Sequence, residues 1–137
     1  MKRTILTLLI ALAIVACSKE DIKKMEGKVD VILYLKDANG NALKNWVVYA
    51  YNQWAWENKN SSRPTFHAQS TATDDDGKAI FTLSVDKFDE REIYHFVVYY
   101  TQDKQNLSGD DVTKNTLKTS KAVTLRSENN DPITLQL

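Results

Sequence analysis

By type and spacing, a thiol, two imidazoles and two acidic turns are the side chains in this sequence best placed to do chemistry. Cys17 is the only cysteine, and it closes an apolar stretch, Ile5 to Ala16, headed by Lys2 and Arg3. A basic start, a short apolar middle and a small residue before a cut is the order of a signal peptide. As a helix those twelve residues would reach about 18 Å, against about 30 Å of hydrocarbon, so the run is too short to span a bilayer. His67 and His95 are the only histidines, and no spacing pairs them. His95 lies inside an aromatic run, where a hydrogen-bonded structural imidazole is expected before a ligand or a general base. Asp37, Asn39 and Asn41, and again Asp74, Asp75 and Asp76, offer clustered oxygens. Calcium takes about six to eight of these from several directions. The first cluster lacks a bidentate Glu at the EF-hand distance, and both clusters read as structural turns, so no metal site is assigned.

Catalytic motifs are missing from the sequence: no Gly-x-Ser-x-Gly elbow, no phosphate-cradling glycine loop and no His-Glu-x-x-His helix. Asp89 and Glu90 are adjacent carboxylates, but glycosidase acids need a cleft and a separation that only a fold can set. What remains is an aromatic inventory of Tyr49, Tyr51, Trp54, Trp56, Tyr94, Tyr99 and Tyr100. Rings with polar tips can stack on sugars or fill a protein interface when they stand on an exposed face. Trp54 and Trp56, just before the polar stretch at Asn58, are the candidates for that ligand-binding role.

Ile14-Val15-Ala16-Cys17 resembles the lipobox of bacterial lipoproteins. The resemblance implies a diacylglycerol on the Cys17 sulfur, cleavage before it and an acylated new amino terminus, with no other cofactor. At about 0.8 kcal/mol per buried methylene, two or more chains hold a protein on a membrane that one chain would leave. Ser18-Lys19-Glu20-Asp21 resembles the export signal of Bacteroidota, which routes outer-membrane lipoproteins to the cell surface. A solvated tether on a periplasm-facing lipoprotein is the alternative for these four residues. Removing residues 1 to 16 takes away Lys2 and Arg3 and leaves 16 Lys plus Arg against 18 Asp plus Glu, a balance of −2. Phosphate contacts supply most of the affinity for nucleic acid, so no nucleic-acid partner is expected. With Cys17 lipidated no thiol remains for a disulfide, a nucleophile or a thiolate metal site.

These residues must be positioned by one domain of residues 28 to 137, joined to the anchor by a charged tether, 17 to 27. Val29, Val31, Leu33 and Leu35 alternate with Asp30, Ile32, Tyr34 and Lys36, the period of a strand with one buried face. Asp37 to Asn41 predicts a turn. Trp46 to Trp56 predicts a second strand, with Trp46, Val48, Ala50, Trp54 and Trp56 on one parity. Thr65 to Thr73 reads as an exposed strand, and Asp74-Asp75-Asp76-Gly77 as a tight turn into Ala79 to Val85. Ile93 to Thr101 is apolar on both faces and is placed centrally in a sheet. Residues 102 to 119 predict a long loop or frayed edge, followed by closing strands at Lys121 to Arg126 and Pro132 to Leu137. No stretch sustains a helical repeat, and about seven short strands predict an all-β antiparallel sandwich, transthyretin-like or Ig-like.

The order Val29 to Leu35, Asp37-Ala38-Asn39-Gly40, Ala42-Leu43, Val47 to Tyr51 and Thr73 to Gly77 before Ala79-Ile80-Phe81 resembles a transthyretin-like module. Carboxypeptidase regulatory domains and B-type collagen-adhesin repeats share that layout, and the resemblance covers residues 28 to 101. It implies a binding, spacer or adhesive role. Relatives that hydrolyse 5-hydroxyisourate end in Tyr-Arg-Gly-Ser, whereas this chain ends Ile133-Thr134-Leu135-Gln136-Leu137. Adhesin repeats often carry a Lys to Asn isopeptide bond; Lys28 and Lys36 flank the first strand, but the last one contains no Asn. The expectation is an outer-membrane, surface-exposed lipoprotein that binds a glycan or protein without catalysis. Its alternatives are a small hydrolase on the same scaffold or a periplasm-facing assembly lipoprotein.

Overall fold

A computed structural model describes residues 27–85, 91–128 and 130–137. The signal segment, Cys17, the Ser18 to Asp21 signal, the tether up to residue 26 and the Asp89-Glu90 pair lie outside the described residues. Strands β1 (Lys28–Lys36), β4 (Lys78–Ser84) and β8 (Ile133–Gln136) form one sheet in the order β4-β1-β8. The second sheet holds β2 (Val47–Asn52), β3 (Gln69–Ala72), β5 (Arg91–Tyr100), β6 (Asn106–Leu107) and β7 (Leu117–Arg126). The molecule is an all-β sandwich.

The alternation expected of β1 is the one observed: Val29, Val31, Leu33 and Leu35 are buried. They meet Phe81 and Leu83 of β4, Ile133 and Leu135 of β8, and Val48, Ala50, Phe96, Val98 and Leu125 of the other sheet. Phe81 and Phe96 touch edge to face across the interlayer, centroids 5.6 Å apart. β5 lies centrally, pairing with β2 over Tyr94 to Val97, with β6 at Tyr99 and Tyr100, and with β7 along its whole length.

Two acidic turns close the same end of the sandwich, side by side. Asp37 Oδ1 accepts the amides of Asn39 and Asn41, each at 2.9 Å, and Asp74 Oδ1 accepts those of Asp76 and Lys78 at 2.9 and 3.0 Å. Those backbone bonds hold the Asp37 carboxyl below the usual carboxylate range. Gly77, at φ +71°, sits between the turns, where a Cβ would come within 2.6 Å of the Leu35 carbonyl oxygen. Only glycine fits so close an approach at positive φ. Buried Thr73 donates its hydroxyl to the Leu43 carbonyl and accepts the Trp46 amide at 3.0 Å. The Thr-Asp-x-x-Gly pattern is thus explained by turn geometry and by this cross-link into the start of β2.

Several boundaries differ from the sequence expectation. The second strand ends at Asn52, and residues 53–58 form a short helix. The exposed strand before the Asp74 turn shrinks to Gln69–Ala72. β7 begins at Leu117 instead of Lys121, because pairing with β5 orders four further residues of polar sequence. β8 runs parallel to β1, with Leu33 opposite Ile133, so the sandwich is antiparallel except for that one pair.

Candidate functional site

Beyond the interlayer core, a second buried cluster lies on the outer face of the larger sheet: Tyr49, Tyr51, Ala55, Val97, Tyr99 and Val112. It exists because residues 53–68 and 108–116 fold back over that face, held there by phenol hydroxyls. Tyr51 donates to the Pro64 carbonyl, which spends its single proton, so the 2.8 Å contact between Tyr51 and Tyr99 has Tyr99 as donor. Tyr49 accepts the Gly109 amide at 2.7 Å. Tyr49 and Tyr99 also meet edge to face at 5.6 Å. Burial pushes the Tyr51 and Tyr99 phenols upward from their ordinary value, which keeps these hooks protonated. Among the described residues, no buried side-chain polar atom lacks a partner.

The departure from the sheet is made by Asn52, whose Oδ1 accepts the Ala55 amide at 2.7 Å and caps helix α1 (Gln53–Asn58). At about 100° per residue, a helix sends Trp54 and Trp56 to opposite sides, where the expected strand would have aligned them. Trp56 turns inward. It stacks on the His95 ring at 4.4 Å and 5° and meets Tyr51 edge on at 5.5 Å. His95 Nε2 is hydrogen bonded to the Gln53 side chain at 2.7 Å, the structural imidazole expected from the sequence. Its pKa is lowered by burial first and by Lys59 next, against the pull of Glu57.

Trp54 turns outward and is 59% exposed. Its ring meets His67 edge to face at 5.3 Å, and His67 meets Phe66 at 3.8 Å. His67 sits at φ +65°, a left-handed conformation that costs a non-glycine residue about 1–3 kcal/mol. The backbone is therefore held strained where it presents this cluster. Phe66, 50% exposed, and His67 also line a cavity of about 480 Å³ together with Arg63, Pro64 and Asp110. Phe66 did not stand out in the sequence, and His67 did so only as one of two histidines that no spacing pairs. Turn-rich composition at 58–64 marks a loop there but does not tell that it folds back onto the sheet.

Across Pro64 a second cavity, of about 290 Å³, is lined by Lys59, Tyr99, Thr113, Lys114, Thr116 and Lys118 among others. Lys59 Nζ stands 3.7 Å over the Trp56 ring and donates to the Trp56 carbonyl at 3.0 Å. Lys118 Nζ approaches the same ring at 5.3 Å. Burial lowers the Lys59 pKa, and the neighbouring Lys118 charge lowers it further. A third hollow, of about 360 Å³, shares Thr113 and Thr116 with the second and continues past Tyr100 and Leu107. The three depressions are neighbours, the first and second sharing Pro64 as the second and third share Thr113 and Thr116. Among the described residues, no group of three His, Asp or Glu side chains is placed to hold a metal ion. The sequence candidates thus divide: Trp54 stands in the exposed cluster, Trp56 forms the floor beneath the lysines, and Cys17 with Ser18, Lys19, Glu20 and Asp21 lies outside the described residues.

No family model, curated protein or solved structure matches this chain.

Proposed function

We propose that the protein is an outer-membrane lipoprotein, anchored through lipid on Cys17 and displayed at the cell surface, whose sandwich is a noncatalytic binding module for a glycan or protein. The observation that carries the binding role is the Trp54, His67 and Phe66 cluster. Large rings are left in water, each touching His67 or its neighbour, by a segment that is held to the sheet through Trp56, Gln53 and the Pro64 carbonyl. Exposed, rigid aromatic groups beside a cavity suit stacking on sugar rings or filling an interface. The lipobox order of Ile14 to Cys17 and the Ser18 to Asp21 signal support the anchor and the display. The turns closed by Asp37 and Asp74 support reading residues 28 to 101 as a transthyretin-like module.

Binding is tested with the full-length protein in detergent micelles, titrated with cellohexaose, xylohexaose and hexagalacturonate while tryptophan emission is followed. A Trp54→Ala, Phe66→Ala double variant is expected to lose tenfold or more in affinity for each ligand the native protein binds. Undiminished affinity in that variant would overturn the assignment of the site. Protease treatment of intact cells tests display: the domain is expected to disappear with known surface proteins, and its survival places it on the periplasmic side.

A further inference from the structure

The second cavity raises a different question, because its charge is one-sided. Among the described residues, Lys59, Lys114 and Lys118 line it and no carboxylate does. Lys44, by contrast, pairs with Asp75 at the second acidic turn, Nζ to Oδ1 2.8 Å. Lys59 and Lys118 instead crowd one indole, and burial together with the Lys118 charge makes it harder for Lys59 to hold its proton. Two like charges brought together over an aromatic floor, one of them partly desolvated, are stabilised by whatever anion enters between them. The remaining lining combines hydroxyl and amide side chains, Thr113, Thr116, Ser61 and Asn60, with Pro64 and Tyr99.

We infer that this cavity is an anion subsite which takes the carboxylate or sulfate of an acidic saccharide, the neighbouring hollows receiving the adjoining sugar units. The inference rests on the binding-module reading and narrows it to a ligand class. Three features favour a saccharide over an acidic peptide. Its volume of about 290 Å³ sits at the small end of ligand sites, roughly 300–1,000 Å³, as a single ring would need. The walls supply hydroxyl partners for a polyol. The cavity also adjoins a hollow on each side, sharing Pro64 with the one lined by Phe66 and His67 and Thr113 and Thr116 with the other. Depressions so arranged fit an extended chain of rings, with the aromatic cluster at one end and the lysines in the middle. Ammonium groups act here as point charges on flexible stems, which suits a carboxylate or a sulfate.

The test uses the full-length protein in nonionic detergent micelles and calorimetric titration with four probes: hexagalacturonate, chondroitin sulfate hexasaccharide, cellohexaose and hexaglutamate. Hexagalacturonate and the chondroitin hexasaccharide separate carboxylate from sulfate recognition. At least one is expected to bind ten times more tightly than cellohexaose, with an affinity that falls as salt is raised. A Lys59→Gln, Lys118→Gln double variant is expected to lose tenfold or more for that probe, while Lys44→Gln binds as the native protein does. Near-UV circular dichroism checks that the double variant keeps its aromatic packing, and Lys114→Gln provides a single, milder removal of charge. Equal binding of cellohexaose, lost in Trp54→Ala but kept in the lysine variants, overturns the anion subsite and leaves the binding module standing. Equal binding of hexaglutamate through the same lysines also overturns it, reducing the cavity to a general cationic patch. No lysine-dependent binding of either acidic saccharide overturns it outright.

Discussion

The two faces of the five-stranded sheet are both buried around β5, yet they are built from different chemistry. Inward, Phe96 and Val98 meet the aliphatic rows of β1, β4 and β8, and the one polar tip, Tyr94, reaches the Ser84 carbonyl at 2.8 Å. Outward, the same strand presents His95, Val97 and Tyr99, and β2 adds Tyr49 and Tyr51, so the covering layer meets hydroxyls and ring edges. Apolar packing between two regular sheets is non-directional, and it fixes the fold through area and volume. Hydroxyl contacts to Pro64 and Gly109 are directional, and they fix where an irregular segment lies. The inner face therefore makes the sandwich, and the outer face turns loops into a binding surface.

If that division holds, truncation inside should unfold the protein and polar edits outside should loosen only the cover. Phe96→Ala is expected to cost about 3–5 kcal/mol, the range for removing a fully buried aromatic ring. Urea denaturation followed by far-UV circular dichroism checks it, and a loss below about 1 kcal/mol would mean that the interlayer contact is looser than the burial of Phe96 implies.

On the outer face, Tyr51→Phe keeps the ring and removes one hydroxyl, leaving the Pro64 carbonyl and the Tyr99 hydroxyl each short of a partner. Leaving a buried acceptor unpaired costs about 1–3 kcal/mol. The distinguishing readout is local. Amide hydrogen exchange is expected to quicken over residues 59–68 while β1 and β5 keep their protection. Uniform acceleration would erase the distinction between the faces.

These differences also decide what could be read from the chain beforehand. Val29 to Leu35 and Ala79 to Val85 face a regular core with one side, so a period of two reports them directly. β5 was legible as central because both its faces are apolar. The helix at Gln53 was not, since six residues give too little length for a 3.6-residue repeat, and Trp54 and Trp56 at a spacing of two imitate a strand. The start of β7 was hidden for the opposite reason: Lys118, Thr119 and Ser120 become strand through pairing with β5, a tertiary cause that outweighs their polar composition. The adjoining polar loop pointed to exposure of Trp54 and Trp56 alike, and of the two Trp54 is exposed while Trp56 is half-buried. The contact of Trp54 with His67, and the meeting of Lys59 with Lys118 over Trp56, depend on a fold-back that no local pattern encodes.

The smallest effect separating the faces is a dependence on pH. Among the described residues, the inner cluster contains no imidazole, whereas on the outer face His95 stacks on Trp56 with Nε2 bonded to Gln53. Burial, with Lys59 adding to it and Glu57 opposing, lowers the folded His95 pKa below the ordinary 6.5. The unfolded imidazole then binds its proton at higher pH than the folded one does. Above about pH 6.5 both states are neutral and the contribution of His95 to stability is complete. As pH falls through that value the unfolded chain gains protons first, and stability declines until the folded pKa has also been passed. Urea midpoints for the native protein and His95→Gln, measured between about pH 8 and pH 5, cancel the carboxylates common to both. The native protein is expected to lose ground relative to the variant only below about pH 6.5, by a modest amount because the ring is partly solvated. Parallel curves would mean that stacking on Trp56 leaves the ring as easily protonated folded as unfolded, and the outer face would then carry no more pH sensitivity than the inner one.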